Sequence, residues 1–197
     1  MLNASHAKSN LLTVDQVRDT GYSNSAITRA VKKGNLLRVA HGIYHTPQND
    51  VSDDFFDDKM FSASLRFKQM VYSHDTALYM HDLNDRDPLK YSVTVPTGYN
   101  TKNLLVEGFK VFSLKKDIQE QDIEEIETMF GNSVRVYNVE RTICDCLRSR
   151  NKLQMDIVLS GLKRYLKRSD RNLNRLMETA EKLKMTNIIK PYLEVLV

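Results

Sequence analysis

Apolar and polar positions change their period several times along the chain, and each change marks an element. Residues 14–20 follow a helical pattern, with Thr13 as a cap in front and Gly21 as the break. Ser23 opens a second helix, which ends at Gly34. Leu36-Leu37-Arg38-Val39-Ala40 alternates, His41-Gly42 is a turn dipeptide, and Ile43-Tyr44-His45 reads as the returning strand. The turn-rich run His45-Thr46-Pro47-Gln48-Asn49-Asp50 divides a first domain, residues 1–48, from a second, residues 49–197. Residues 57–70 and 74–83 are helical by pattern, and Asp53, Asp54, Asp57 and Asp58 suit the start of the first. Tyr91-Ser92-Val93-Thr94-Val95 alternates as a strand ended by Pro96, two more strands lie at residues 109–112 and 134–137, and helices dominate from Glu140. The predicted fold class is α+β: an N-terminal winged helix-turn-helix, then a mixed α/β domain ending in helices.

The second helix is the informative one. At 100° per residue, Ser25, Thr28, Arg29, Lys32 and Lys33 share one arc, and Ala26, Ile27, Ala30 and Val31 the opposite arc. One face packs and the other carries only hydroxyls and cations. A helix in the DNA major groove needs that division, because hydroxyls and Arg read base edges while Lys holds phosphates. The hairpin after it places Arg38 and His41 within reach of a phosphate or the minor groove. The alternative is a small amphipathic helical hairpin whose ribbon docks onto the rest of the chain.

Charge sharpens this picture. The 197 residues carry a net +4, but the balance is +3 over residues 1–50, −4 over 51–150 and +5 over 151–197. Basic ends around an acidic middle suggest a nucleic-acid surface. In the C-terminal part, Lys163, Arg164, Lys167, Arg168, Arg171 and Arg175 stand opposite a stripe that includes Ile157, Val158, Leu162, Tyr165 and Leu166. These cations read equally as phosphate contacts or as the solvated face of a surface helix.

Hydrophobic residues at 41% and charged residues at 27% describe an ordinary globular chain, which excludes disorder along its whole length. No apolar run reaches the length of a membrane span, and residues 1–8 lack the apolar core of a signal peptide. Cys144 and Cys146 are two apart, have no metal spacing and read as core thiols. A reducing cytoplasm is the expected setting.

Signatures of catalysis are missing. The seven glycines are scattered singly, so no phosphate-binding loop exists. His74 and His81 are seven apart, too far for a metal pair on one helix face. Asp53, Asp54, Asp57 and Asp58, and Asp85 with Asp87, could ligate Mg²⁺, but a helix start and a turn explain them equally well, and no Glu-x-Lys occurs as in metal-dependent nucleases. The expectation is a protein that is not an enzyme and has no cofactor or metal. Its rivals are a nucleic-acid-processing enzyme targeted by the winged helix, with middle-domain acids as metal ligands, and a winged helix that binds protein.

The run from Thr13-Val14 to Gly34-Asn35-Leu36-Leu37-Arg38-Val39-Ala40-His41-Gly42-Ile43-Tyr44 resembles the N-terminal winged helix of AbiEi antitoxins. Further blocks agree in order: Tyr72-Ser73-His74-Asp75-Thr76-Ala77-Leu78, Val93-Thr94-Val95-Pro96 and Val139-Glu140-Arg141-Thr142-Ile143-Cys144-Asp145, so the likeness covers roughly residues 11–195. The resemblance implies a bacterial antitoxin of a type IV abortive-infection pair, acting in phage resistance. It implies a functional partner, a nucleotidyltransferase-like toxin, with which it forms no stable complex. It also implies autoregulation as a transcriptional repressor binding inverted repeats in its own promoter. DNA contacts carry over only to Ser25, Thr28, Arg29, Lys32, Lys33 and Arg38. No heptad run or spare apolar stripe marks a dimer interface, and a monomer that pairs on double-stranded DNA is expected.

Overall fold

The computed structural model describes residues 11–47 and 58–196, which fall into two compact units. The acids Asp53, Asp54 and Asp57, and the end of the expected interdomain turn, lie outside the described residues. The first unit takes residues up to 68 together with 126–134; the second takes 69–125 and 135–197. The first unit is therefore larger than the expected 1–48 domain.

In the first unit, strand β1 (Leu11–Thr13) leads into helices α1 (Val14–Asp19) and α2 (Asn24–Lys32). Thr13 and Gln16 form a reciprocal capping box on α1, and the Ser23 hydroxyl caps α2 by accepting from Ala26 N–H. Helix α2 ends in a Schellman arrangement: Asn35 N–H donates to Ala30 O at 3.0 Å and Gly34 N–H to Val31 O at 3.1 Å. That geometry requires the left-handed φ of 75° that Gly34 adopts. Strands β2 (Leu37–Ala40) and β3 (Ile43–His45) form the expected hairpin, and β3 also pairs with β1 in a sheet of order β1-β3-β2. The third strand, β1, is too short to show in the hydrophobic pattern; its pairing with β3 creates it. Val17, Ile27, Ala30 and Leu36 close a small core between helices and sheet.

Helix α3 (Lys59–Arg66), shorter than the predicted 57–70, also belongs to this unit and packs on β1 and β3. Its cap is Asp58, buried, which accepts from Phe61 N–H at 2.9 Å. The other carboxylate oxygen accepts from Thr128 Oγ1 at 2.6 Å and Asn132 Nδ2 at 2.8 Å, which brings the distant segment 126–134 into the same unit.

The second unit begins with β4 (Val71–Tyr72), α4 (His74–Met80), β5 (Ser92–Pro96), α5 (Lys102–Val106), β6 (Lys110–Leu114) and α6 (Lys116–Gln119). Next come β7 (Ile123–Glu127) and β8 (Ser133–Tyr137), whose connecting tip is the 126–134 segment. Helices α7 (Val139–Arg148), α8 (Met155–Lys167), α9 (Leu173–Lys182) and α10 (Thr186–Leu196) complete it. The mixed sheet runs β6-β5-β4-β8-β7, with β5 parallel to β6 and antiparallel to β4. Helix α7 is buried from Glu140 to Leu147, and α4, α8, α9 and α10 pack with it in one apolar core. Gly161 lets α8 come close to α4, since a Cβ there would meet Leu78 Cδ2 at 3.0 Å. Both cysteines lie in this core as free thiols, and burial pushes Cys144 up to about 12.

Candidate nucleic-acid interface

Ile27 and Ala30 turn α2 into the core, and its opposite arc is left to solvent. Ser25, Thr28, Arg29, Lys32 and Lys33 are all exposed, as is Arg38 on β2. None of these cations forms an ion pair among the described residues. The Thr28 hydroxyl donates back to Asn24 O at 3.0 Å and Ser25 Oγ lies 3.0 Å from Ser23 Oγ. Arg29 Nε donates to Ser25 O at 3.4 Å, which leaves the two terminal nitrogens of its fork free of that bond. The four guanidinium and ammonium heads on α2 and β2 therefore keep most of their donor capacity for an anion.

Two contacts orient this surface, and neither is visible in the wheel. Arg18 of α1 donates to Asn24 Oδ1 at 2.9 and 3.1 Å, so the first helix holds the first turn of the second. Arg38 Nη2 donates to His41 Nδ1 at 3.0 Å, which makes that ring nitrogen the acceptor. Gly42 carries the hairpin turn at φ 75°, and its carbonyl accepts from Val14 N–H at 2.8 Å. The hairpin is tied to α1 by that bond.

The C-terminal cations are less uniform than their spacing suggests. Arg164 makes a bidentate bond with Asp85, and Arg168 one with Asp170 while also donating to His81 O at 3.0 Å. Arg175 lies 3.7 Å from Glu140, and Arg171 donates to Arg168 O at 3.1 Å. Lys163 and Lys167 are exposed and form no ion pair among the described residues. The side chains come from one face of α8, the turn after it and the start of α9, but three of the six cations already hold carboxylates. Sequence spacing cannot show this, because Asp85 and Glu140 arrive from elsewhere in the chain.

The second unit holds a buried polar cluster that the spacing of histidines and acids does not disclose. His74 is buried at a left-handed φ of 55°, with Nδ1 2.9 Å from Ser73 Oγ and Nε2 3.0 Å from Ser149 Oγ. Its ring stacks on Phe112 at 3.5 Å. Burial holds it well below the usual imidazole range, helped by Arg148, Lys110, Arg141 and Lys152. Nearby on α7, Arg141 and Asp145 form a fully buried pair at 2.9 Å, and Arg148 bonds the same carboxylate. His81 Nε2 donates to Tyr137 O at 2.7 Å, and its Nδ1 lies 3.6 Å from Glu124 Oε1. Among the described residues no group of three or more His, Cys, Asp or Glu side chains is placed to hold a metal ion. No helix among them is long and apolar enough to cross a membrane.

Among solved structures, the crystal structure of the RV2827C protein from Mycobacterium tuberculosis is similar in fold, with a TM-score of 0.54 and 14% identity. The alignment covers 85% of this chain and 66% of that one, so this chain spans just under two thirds of its relative's length. No curated protein matches the sequence. Residues 1–47 match the family model described as "Transcriptional regulator, AbiEi antitoxin"; the later blocks at 72–78, 93–96 and 139–145 lie beyond the matched segment. The similarity to that family is thus confined to the N-terminal segment.

Proposed function

We propose that this protein is the antitoxin and autorepressor of a type IV abortive-infection pair, and that residues 11–45 work as a winged helix-turn-helix. Helix α2 enters the major groove with Ser25, Thr28 and Arg29 toward base edges, and Lys32, Lys33 and Arg38 hold phosphates. The chain acts in the cytoplasm, as a monomer that pairs on the inverted repeats of its own promoter. It counters a nucleotidyltransferase-like toxin without a stable complex, and it acts by binding, with no catalytic step. The observation that carries this reading is the outer arc of α2, which presents hydroxyls and unpaired cations and no acid. Lys163, Lys167 and Arg171 add backbone contacts, whereas Arg164 and Arg168 mainly serve their own carboxylates.

The test is a titration of DNA upstream of the gene, at two salt concentrations, with the wild type and an Arg29→Ala/Lys32→Ala variant. Removing a base-reading group should cost about 1–3 kcal/mol, and removing a phosphate-holding one should lower the salt slope by about one. Unchanged affinity and slope in the folded variant would reject the interface. Co-expression with a neighbouring nucleotidyltransferase-like gene tests the antitoxin half: protection of the cells is expected, and growth arrest regardless of the protein would reject it.

A further inference from the structure

The second unit contains a cleft of about 610 Å³ between the start of α4, the 84–90 loop and the entry to α8. That size falls within the usual range of small-ligand sites. Leu78 and Val158 are buried in its floor, and Leu153 and Ile157 extend the same apolar wall. Around this wall stand Arg86, Lys90, Lys110 and Lys152, none in an ion pair among the described residues. Lys110 is anchored at the cleft, because its Nζ donates to Lys152 O at 2.6 Å and keeps two N–H groups. Two acids line the cleft as well, Asp75 and Asp87, so its balance is positive.

Asp75 makes the cleft specific. Its Oδ1 is buried and has no hydrogen-bond partner among the described residues. That oxygen is sealed from solvent, so a ligand meets the cleft-lining edge of the carboxylate instead, and a carboxylate accepts only from an N–H or O–H. The cleft therefore asks for three things in one molecule: a flat apolar body, a multiply charged anion and a neutral donor. An acidic peptide offers the charge without the flat body, and inorganic polyphosphate offers the charge alone. We propose that this cleft binds a nucleoside phosphate, with the base on the Leu78–Val158 wall, phosphates on the lysines and Arg86, and a sugar hydroxyl or base amino group on Asp75. The ligand is either a free nucleotide or the terminal nucleotide of a nucleic-acid strand. The site is independent of the operator-binding surface proposed for α2.

Titrate full-length protein calorimetrically with the four ribonucleoside triphosphates, a short oligoribonucleotide, the same strand with both ends blocked, inorganic triphosphate and poly-glutamate. Repeat with Lys90→Gln/Lys110→Gln, and follow methyl NMR shifts of Leu78, Leu153, Ile157 and Val158. Saturable one-to-one binding of a nucleotide or an unblocked strand is expected, with shifts at those methyls. The variant should bind at least about tenfold more weakly, the scale of losing a hydrogen bond to a charged group. Preference for the free nucleotide or for the unblocked strand identifies the source, and either supports the proposal. Triphosphate or poly-glutamate binding as tightly as nucleotide overturns it, as does nucleotide binding that leaves the methyls unmoved or the variant unimpaired. So does the absence of binding at millimolar nucleotide. Should the variant unfold, the methyl shifts in the wild type decide alone.

Discussion

The Arg18 guanidinium of α1 grips the side-chain carbonyl of Asn24, the first residue of α2, with two hydrogen bonds at 2.9 and 3.1 Å. One exposed contact across the turn thus helps set the angle at which α2 is presented, beside the shared core of Val17, Ile27 and Ala30. Asn24→Ala should cost stability only about 0.5 kcal/mol, because the bonds are solvated and neutral at one end. Affinity for operator DNA should fall more than stability, since the contacting side chains on α2 are untouched but no longer held. Equal urea midpoints combined with wild-type DNA affinity would show that the turn holds its angle without this contact.

Lys163 and Lys167 differ from their arginine neighbours in having no carboxylate partner among the described residues. Lys163→Gln/Lys167→Gln is expected to lower the slope of log affinity against log salt by about one for each phosphate no longer held. Arg164→Gln should leave that slope nearly unchanged and instead release Asp85. If neither variant moves the slope, this face of α8 is only solvated.

His74 links pH to folding. Its imidazole is held below the ordinary value of 6.5 by burial and by surrounding cations. The unfolded chain therefore takes up the proton first as pH falls, so the contribution is complete above pH 6.5 and is lost between 6.5 and the lower native value. Asn tolerates the left-handed backbone at φ 55°, so His74→Asn removes the titration with little added strain. Urea midpoints measured from about pH 7.5 to about pH 5.5 should fall less steeply in this variant than in the wild type. Parallel curves would assign the acid sensitivity to His81 and His45, whose values burial also lowers.

Removing one member of the buried Arg141–Asp145 pair should be severe. Asp145→Ala leaves Arg141, which is fully buried, with the carbonyl of Ile118 at 3.1 Å and Asp122 at 3.9 Å. Breaking such a pair costs roughly 3–5 kcal/mol, a large part of a domain's stability. Denaturant unfolding measures this directly; a cost below about 1 kcal/mol would mean that Asp122 takes over the guanidinium.

Local physics was enough for the sequence alone to determine the N-terminal helices and hairpin. Caps at Thr13 and Ser23, the left-handed stop at Gly34 and the turn at His41-Gly42 each act within a few residues, so the two helices and the ribbon appear where their signals stand. The polar arc of α2 was equally legible, because helical geometry alone sorts Ser25, Arg29 and Lys32 from Ile27 and Ala30. Only the tertiary structure decided the rest. Strand β1 exists because β3 pairs with it, and α3 joins the first unit because Asp58 finds Thr128 and Asn132 some seventy residues away. Strand β5 reads as alternating, yet both its faces are buried, since Thr94 donates to Ser73 Oγ and Ser92 N–H to Thr76 Oγ1. Arg164 looks like a free cation until Asp85 meets it from 79 residues away. Periodicity records which side of an element is apolar, whereas the partner of a polar side chain depends on chain packing, and long-range pairing leaves no trace in local order.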